Sequence, residues 1–174
     1  DAIAEISDPG IVTADSVDEL EQETKHDIMA LTKAMAEAAG EAGWCVHLGA
    51  TSNDIVDSAV ALQIKDSICI QDESLRRLVL TMCEIAQREK GTVMLGRTHG
   101  QAAVPITFGL KVAVWIDEFR RHLDRLEEMT SRCTTGKFLG AVGTGAAQGD
   151  RALELQELVL GNLGLEVPVA ATQV

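Results

Sequence analysis

An all-α fold, a bundle of long helices that this chain holds only in part, is what the sequence predicts, and two observations point to it. Apolar residues make up 46% of the 174-residue chain, yet aromatics are only 3% and Tyr is absent. The core must therefore be built from Ala, Leu, Ile, Val and Met, side chains that suit packed helices. Apolar positions also recur at three- and four-residue steps over runs longer than an ordinary globular helix. The length fits one compact domain, so a single core is the default expectation.

Residues 1–15 contain Pro9-Gly10 and no clear period, and they read as a turn-rich lead-in. Ser16 with Glu19 three residues later has the form of a capping box, and Leu20, Thr24, Ile28, Leu31, Met35 and Ala38 continue as an apolar stripe. One helix from Ser16 to about Ala39, stopped by Gly40, is expected. The pattern breaks between Gly43 and Ser52, and Asn53-Asp54 then opens a second helix. Ile55, Ala59, Leu62, Leu75, Leu78, Met82 and Ile85 support it up to Gly91, a run of about 35 residues or about 50 Å at helical rise.

Thr92–Leu95 reads as a short extended piece leading into the loop Gly96-Arg97-Thr98-His99-Gly100-Gln101. Pro105 sits where a helix can begin, because its missing N–H falls in the unpaired first turn. Phe108, Val112, Trp115, Phe119, Leu123, Leu126 and Met129 form the seam of a third long helix. The five glycines from Gly136 to Gly149 predict a flexible, extended segment. Gly143-Thr144-Gly145 lacks the third glycine and the GK[ST] continuation of a nucleotide loop, so a phosphate cradle is not read there. Asp150 is expected to cap a shorter helix ending near Gly161.

A net charge of -12 argues against nucleic acid, which selects basic surfaces, but leaves room for a small phosphorylated substrate in a local cleft. Cys45, Cys69, Cys83 and Cys133 form no CxxC pair, and the four histidines form no HExxH pair, so no metal, cofactor or disulfide framework is implied. With no apolar run long enough for a membrane span and no leader pattern, the expectation is a soluble, cytoplasmic protein with reduced thiols.

Three polar clusters interrupt the apolar runs. Thr24-Lys25-His26-Asp27, taken alone, is an exposed helical charge cluster. In His47-Leu48-Gly49-Ala50-Thr51-Ser52-Asn53-Asp54, hydroxyls meet the free N–H groups of a helix start, which suits either simple capping or an anion. His99, flanked by Thr98 and Gly100, is a candidate for proton transfer near neutrality or a structural histidine.

The runs TKHD, HLGATSND-IVDSA and GRTHGQAAVPITFGLK, in this order and at these separations, resemble the adenylosuccinate lyase family of the fumarase/aspartase superfamily. The resemblance covers nearly the whole chain. It implies a long central helical bundle assembled as a homotetramer with shared active sites, and β-elimination of fumarate from adenylosuccinate and from the succinylated aminoimidazole carboxamide ribotide of purine biosynthesis. On that reading, residues 1–15 end an N-terminal region, and 16–174 hold part of the N-terminal domain and the central bundle, with the C-terminal part missing.

Carried over by motif, His99 resembles the general acid, and His26 and His47 resemble two further active-site histidines. Lys25, Asp27, Thr51, Ser52, Thr98 and Gln173 take substrate-binding roles. The family's base is a serine within a stretch like SSxMPxKxN, which does not occur here, so the site is expected to be incomplete and this chain alone inactive. The carboxymuconate cycloisomerase branch shares GATS and PxTFGxK but lacks the histidine of RTH. Argininosuccinate lyase would show a GRSRND-like loop, and fumarase a GSGTQ-like run. A non-catalytic helical scaffold is the alternative outside enzymes, and three retained histidines speak against it.

Overall fold

The first long helix of the sequence reading is two helices. The computed structural model describes residues 11–170, and in it α1 spans Ala14–Thr24 and α2 spans Asp27–Ala38. Lys25 ends α1 in the left-handed region at φ 52° while its N–H still donates to Glu21 O, and His26 then turns extended at φ -154°. The apolar stripe continues in the sequence across this break, which is why periodicity alone did not reveal it. The start also differs from expectation. Thr13 is the N-cap, with Ser16 at the third helical position returning the bond, so the box is Thr13/Ser16 rather than Ser16/Glu19.

After a 3-10 turn at Gly40–Cys45 comes α3, Ser52–Arg88, unbroken over 37 residues. The antiparallel strands β1, Val93–Thr98, and β2, Gln101–Thr107, follow it. The expected GRTHGQ loop is thus a β-hairpin. Pro105 pairs with Leu95 inside β2 instead of opening a helix, which a two-stranded ribbon tolerates because each strand has a free edge. Thr107 caps the next helix, accepting from Leu110 N–H at 3.1 Å, and α4 runs Phe108–Cys133.

Asp150 does not cap the last helix. A short 3-10 turn, Gly149–Arg151, leads into α5, Ala152–Leu163, which ends on Gly164 at φ 64°. The glycine-rich stretch before it is packed and irregular, with Gly140, Gly143, Gly145 and Gly149 all at positive φ and Lys137 and Leu139 buried.

The chain forms two compact units. One runs to Val60 and resumes at Gly136, and the other is Ala61–Thr135. In the first, Ala30, Ala34, Leu139, Ala152, Leu160 and Leu165 form the buried core. Gly136 is needed there, since a Cβ would come within 2.4 Å of Leu160 Cδ2. In the second, Ala61, Ile68, Met82 and Val112 are buried, whereas Ile70, Leu80, Leu110 and Val114 on the long helices stay more than half exposed. No described helix is long and apolar enough to cross a membrane.

Candidate functional site

The break between α1 and α2 places the TKHD cluster at a helix start. His26 is the N-cap of α2, with Nδ1 3.4 Å from Met29 N–H and 3.1 Å from Asp27 Oδ1. The same ring nitrogen thus faces both the Met29 N–H and the Asp27 carboxylate. With His26 48% and Asp27 73% exposed, water screens that pair. Thr24 Oγ1 donates to the His26 carbonyl at 3.0 Å and fixes the turn. Lys25 is exposed.

The GATS loop is built differently. His47 and Gly49 both take positive φ, 65° and 71°, which folds residues 47–51 back on themselves before α3 begins. At the head of α3, Asp54 Oδ2 accepts Thr51 N–H at 3.0 Å and Gly140 N–H at 2.9 Å. An acidic residue in the first turn also suits the positive end of the helix dipole. Thr51 and Ser52 are half-buried, and their hydroxyls bond to no other described residue.

The glycine-rich segment clasps this loop from its other side. Gln148 Nε2 donates to Gly49 O at 2.6 Å, and Lys137 Nζ lies 3.7 Å from Asp54 Oδ1, with the Lys137 and Asp54 side chains almost fully buried. Ser58 Oγ donates to Lys137 O and accepts from Lys137 N–H, each at 3.1 Å. Phe138 N–H donates to Gln156 Oε1 at 3.2 Å. Among the described residues, the buried side-chain atoms without a hydrogen-bond partner are His47 Nε2, Asp54 Oδ1, Lys137 Nζ and Gln148 Oε1. All four come from these two segments. Buried polar atoms are nearly always satisfied, so their concentration here marks a polar site rather than scattered packing faults.

The second unit carries Thr98 and His99. Thr98 pairs with Gln101 across the hairpin, and His99-Gly100 is its two-residue turn, at φ 50° and 76°. Two successive positive φ values are the pattern of a type I′ turn, which matches the twist of the strands. His99 is consequently an exposed residue at the tip of the hairpin. Two residues in from Thr98, Gly96 faces Ala103 and Val104 at a bulge, where a Cβ would come within 2.5 Å of Val104 O. Beside the hairpin lies an apolar groove of about 390 Å³ lined by Leu95, Ile106, Leu110 and Trp115, with Arg97 and Lys111 on it. Lys111 Nζ sits 5.6 Å from the Trp115 ring.

The structure therefore brings His47, Thr51 and Ser52 into one loop of the first unit. His26 stands at another helix start in that unit, with no hydrogen bond or ion pair to the loop among the described residues. His99 and Thr98 share the hairpin tip of the second unit, and Gln173 lies outside the described residues. His122 is exposed on α4. Sequence reasoning missed Lys137, Ser58 and Gln148. The available signal was a lone cation between Gly136 and Phe138, in a run otherwise glycine-rich and apolar. No group of three or more His, Cys, Asp or Glu able to hold a metal occurs among the described residues.

Comparison with known proteins adds the family. Over 164 residues the chain is 49% identical to adenylosuccinate lyase of Pyrococcus abyssi, covering 94% of this chain and 36% of that protein. It is 38% identical over 171 residues to N-acetyl-S-(2-succino)cysteine lyase of Dickeya dadantii, covering 97% of this chain and 38% of that one. The solved structure of fumarate lyase from Mesorhizobium sp. BNC1 superposes with a TM-score of 0.89 at 36% identity, covering 98% of this chain and 41% of that chain. The chain thus spans little more than a third of the length of these curated relatives. The lyase family model matches residues 4–173, and the chain belongs to that family, within the fumarase/aspartase superfamily.

Proposed function

We propose that these residues belong to a lyase that releases fumarate from adenylosuccinate, giving AMP, and from the succinylated aminoimidazole carboxamide ribotide. The observation that carries the reading is the hydroxyl-bearing helix start at Thr51–Ser52, fastened by Asp54 through the N–H of Thr51; in the other unit, His99 stands in the turn of a hairpin. In the elimination a base removes a proton from the succinyl Cβ, the electron pair forms the fumarate double bond, the C–N bond breaks, and the nitrogen is protonated as it leaves. Charge building on the neighbouring carboxylate needs pre-aimed donors. The Thr51 and Ser52 hydroxyls and the start of α3 supply them, and His99 supplies the proton to nitrogen. Lys25, His26, Asp27, His47, Thr98 and Gln173 contact the rest of the substrate. The base belongs to a serine-rich loop whose motif this chain does not contain.

The Dickeya dadantii relative, named for a succinyl group on sulfur, is the specific reason to carry a second reading in which the leaving atom is sulfur. Ultraviolet assay of the gene product containing this chain separates the two. Adenylosuccinate is expected to be consumed faster than N-acetyl-S-(2-succino)cysteine, and the reverse order would replace the first reading by the second.

The proposed enzyme is a cytoplasmic homotetramer. Ile70, Leu80, Leu110 and Val114 leave apolar seams open on both long helices, a larger apolar display than soluble monomers usually keep. Sedimentation at micromolar concentration is expected to give a species of four chains, and a stable monomer would defeat this assembly.

A further inference from the structure

We infer that Asp54, neutralised by Lys137, is the positioning residue that aims the Thr51–Ser52 loop at the substrate. This rests on the reading of that loop as substrate-binding. Asp54 is 1% exposed and Lys137 5%, in a chain whose other carboxylates are mostly in water. The pair is not a well-made bridge: Nζ and Oδ1 are 3.7 Å apart, and neither atom has a hydrogen-bond partner among the described residues. Burying two charges in that geometry is a poor route to stability. What the arrangement does accomplish is local. The other oxygen, Oδ2, accepts the N–H of Thr51 and the N–H of Gly140, so one atom fastens the loop to the glycine-rich segment.

The remaining contacts keep the clasp in register. Ser58, one turn along α3 from Asp54, holds both the N–H and the carbonyl of Lys137 and so fixes where the ammonium enters. Gln148 holds Gly49 O from the other end of the segment. Gly140 takes φ 77°, a conformation suited to glycine, which allows its N–H to reach Asp54. Asp54 itself touches no substrate on this account and acts through the backbone of Thr51.

Two double variants of the gene product isolate the acceptor from the charges. In Asp54→Asn with Lys137→Met, the amide oxygen still accepts both N–H groups and no charge is buried. In Asp54→Ala with Lys137→Met, the acceptor is gone and again no charge is buried, so neither variant suffers from an unpaired ion. The Asn variant is expected to keep the KM for adenylosuccinate within about threefold of the parent. The Ala variant is expected to raise it at least ~10-fold, since misplacement of a binding group by about an ångström costs on that order or more. A purely structural role would lower the active fraction, and so the apparent kcat, at unchanged KM.

Hydrogen–deuterium exchange needs no substrate and reads the clasp directly. Amides of the peptides covering Thr51 and Gly140 should exchange at least ~10-fold faster in the Ala variant than in the Asn variant. Lys137→Met alone should melt below the Asn double variant, because it leaves Asp54 unpaired. Equal KM and equal exchange in the two double variants would overturn the inference. A parent that releases no fumarate would remove the substrate reading, while the exchange comparison would still decide whether Asp54 holds the loop.

Discussion

Replacing His99 with Asn is expected to lower turnover of adenylosuccinate at least ~100-fold, the low end of what a positioned acid contributes, or about 2.7 kcal/mol of transition-state stabilisation. Asn is the informative choice because of where the residue sits. His99 occupies the first position of the turn at φ 50°, followed by Gly100 at 76°. Asn-Gly is the most favourable pair for two successive positive φ values, so the variant removes the imidazole while keeping or strengthening the hairpin. The loss then reports the missing proton donor rather than a melted ribbon. Turnover within about threefold of the parent, in a variant with unchanged circular dichroism, would show that the acid is another group.

That the same turn escaped the sequence reading has a physical cause. His-Gly is a weaker hairpin signal than Asn-Gly, Pro105 argues against a strand, and the bulge opposite Gly96 breaks the alternation that would mark one. The long helices α3 and α4 were legible because their period is local and repeated. The break at Lys25 was not, because a left-handed lysine carries no sequence mark and the stripe resumes in phase after it.

A similar contrast holds for the site. His26, His47, His99, Thr51 and Ser52 could be picked out because each lies in a short polar motif between apolar runs. Lys137 stood out only as a lone cation in a glycine-rich run, since its meaning depends on a carboxylate far away in the chain. Asp54 was legible as a helix opener and as nothing more, because its second hydrogen bond goes to Gly140. Local rules find motifs and long periodic helices but misplace several caps, and buried pairs appear only once the chain has folded back on itself.

Gly109→Ala is the substitution expected to disturb the second unit most. A Cβ at Gly109 would lie 2.5 Å from Ala86 O, 2.7 Å from Lys90 Cα and 2.8 Å from Lys90 N, all backbone atoms that no rotamer change can move aside. This contact is where the start of α4 rests on the end of α3. Gly109 N–H donates to Glu89 O at 3.0 Å and Phe108 N–H to Thr92 O at 2.8 Å, so two donors of the unpaired first turn are satisfied there. A methyl group must push these backbones apart and stretch both bonds, an overpacking cost of about 1–3 kcal/mol. At roughly 2–4 °C per kcal/mol for a chain of this size, the melting temperature should fall by several degrees. Gly91→Ala is the matched control. Nothing lies within 4 Å of its Cβ position and its φ is not left-handed, so the restriction of the unfolded chain should leave stability level or raise it by up to about 1 kcal/mol. Melting curves that shift equally for the two variants would mean that the close approach at Gly109 relaxes freely and does not fix the junction between α3 and α4.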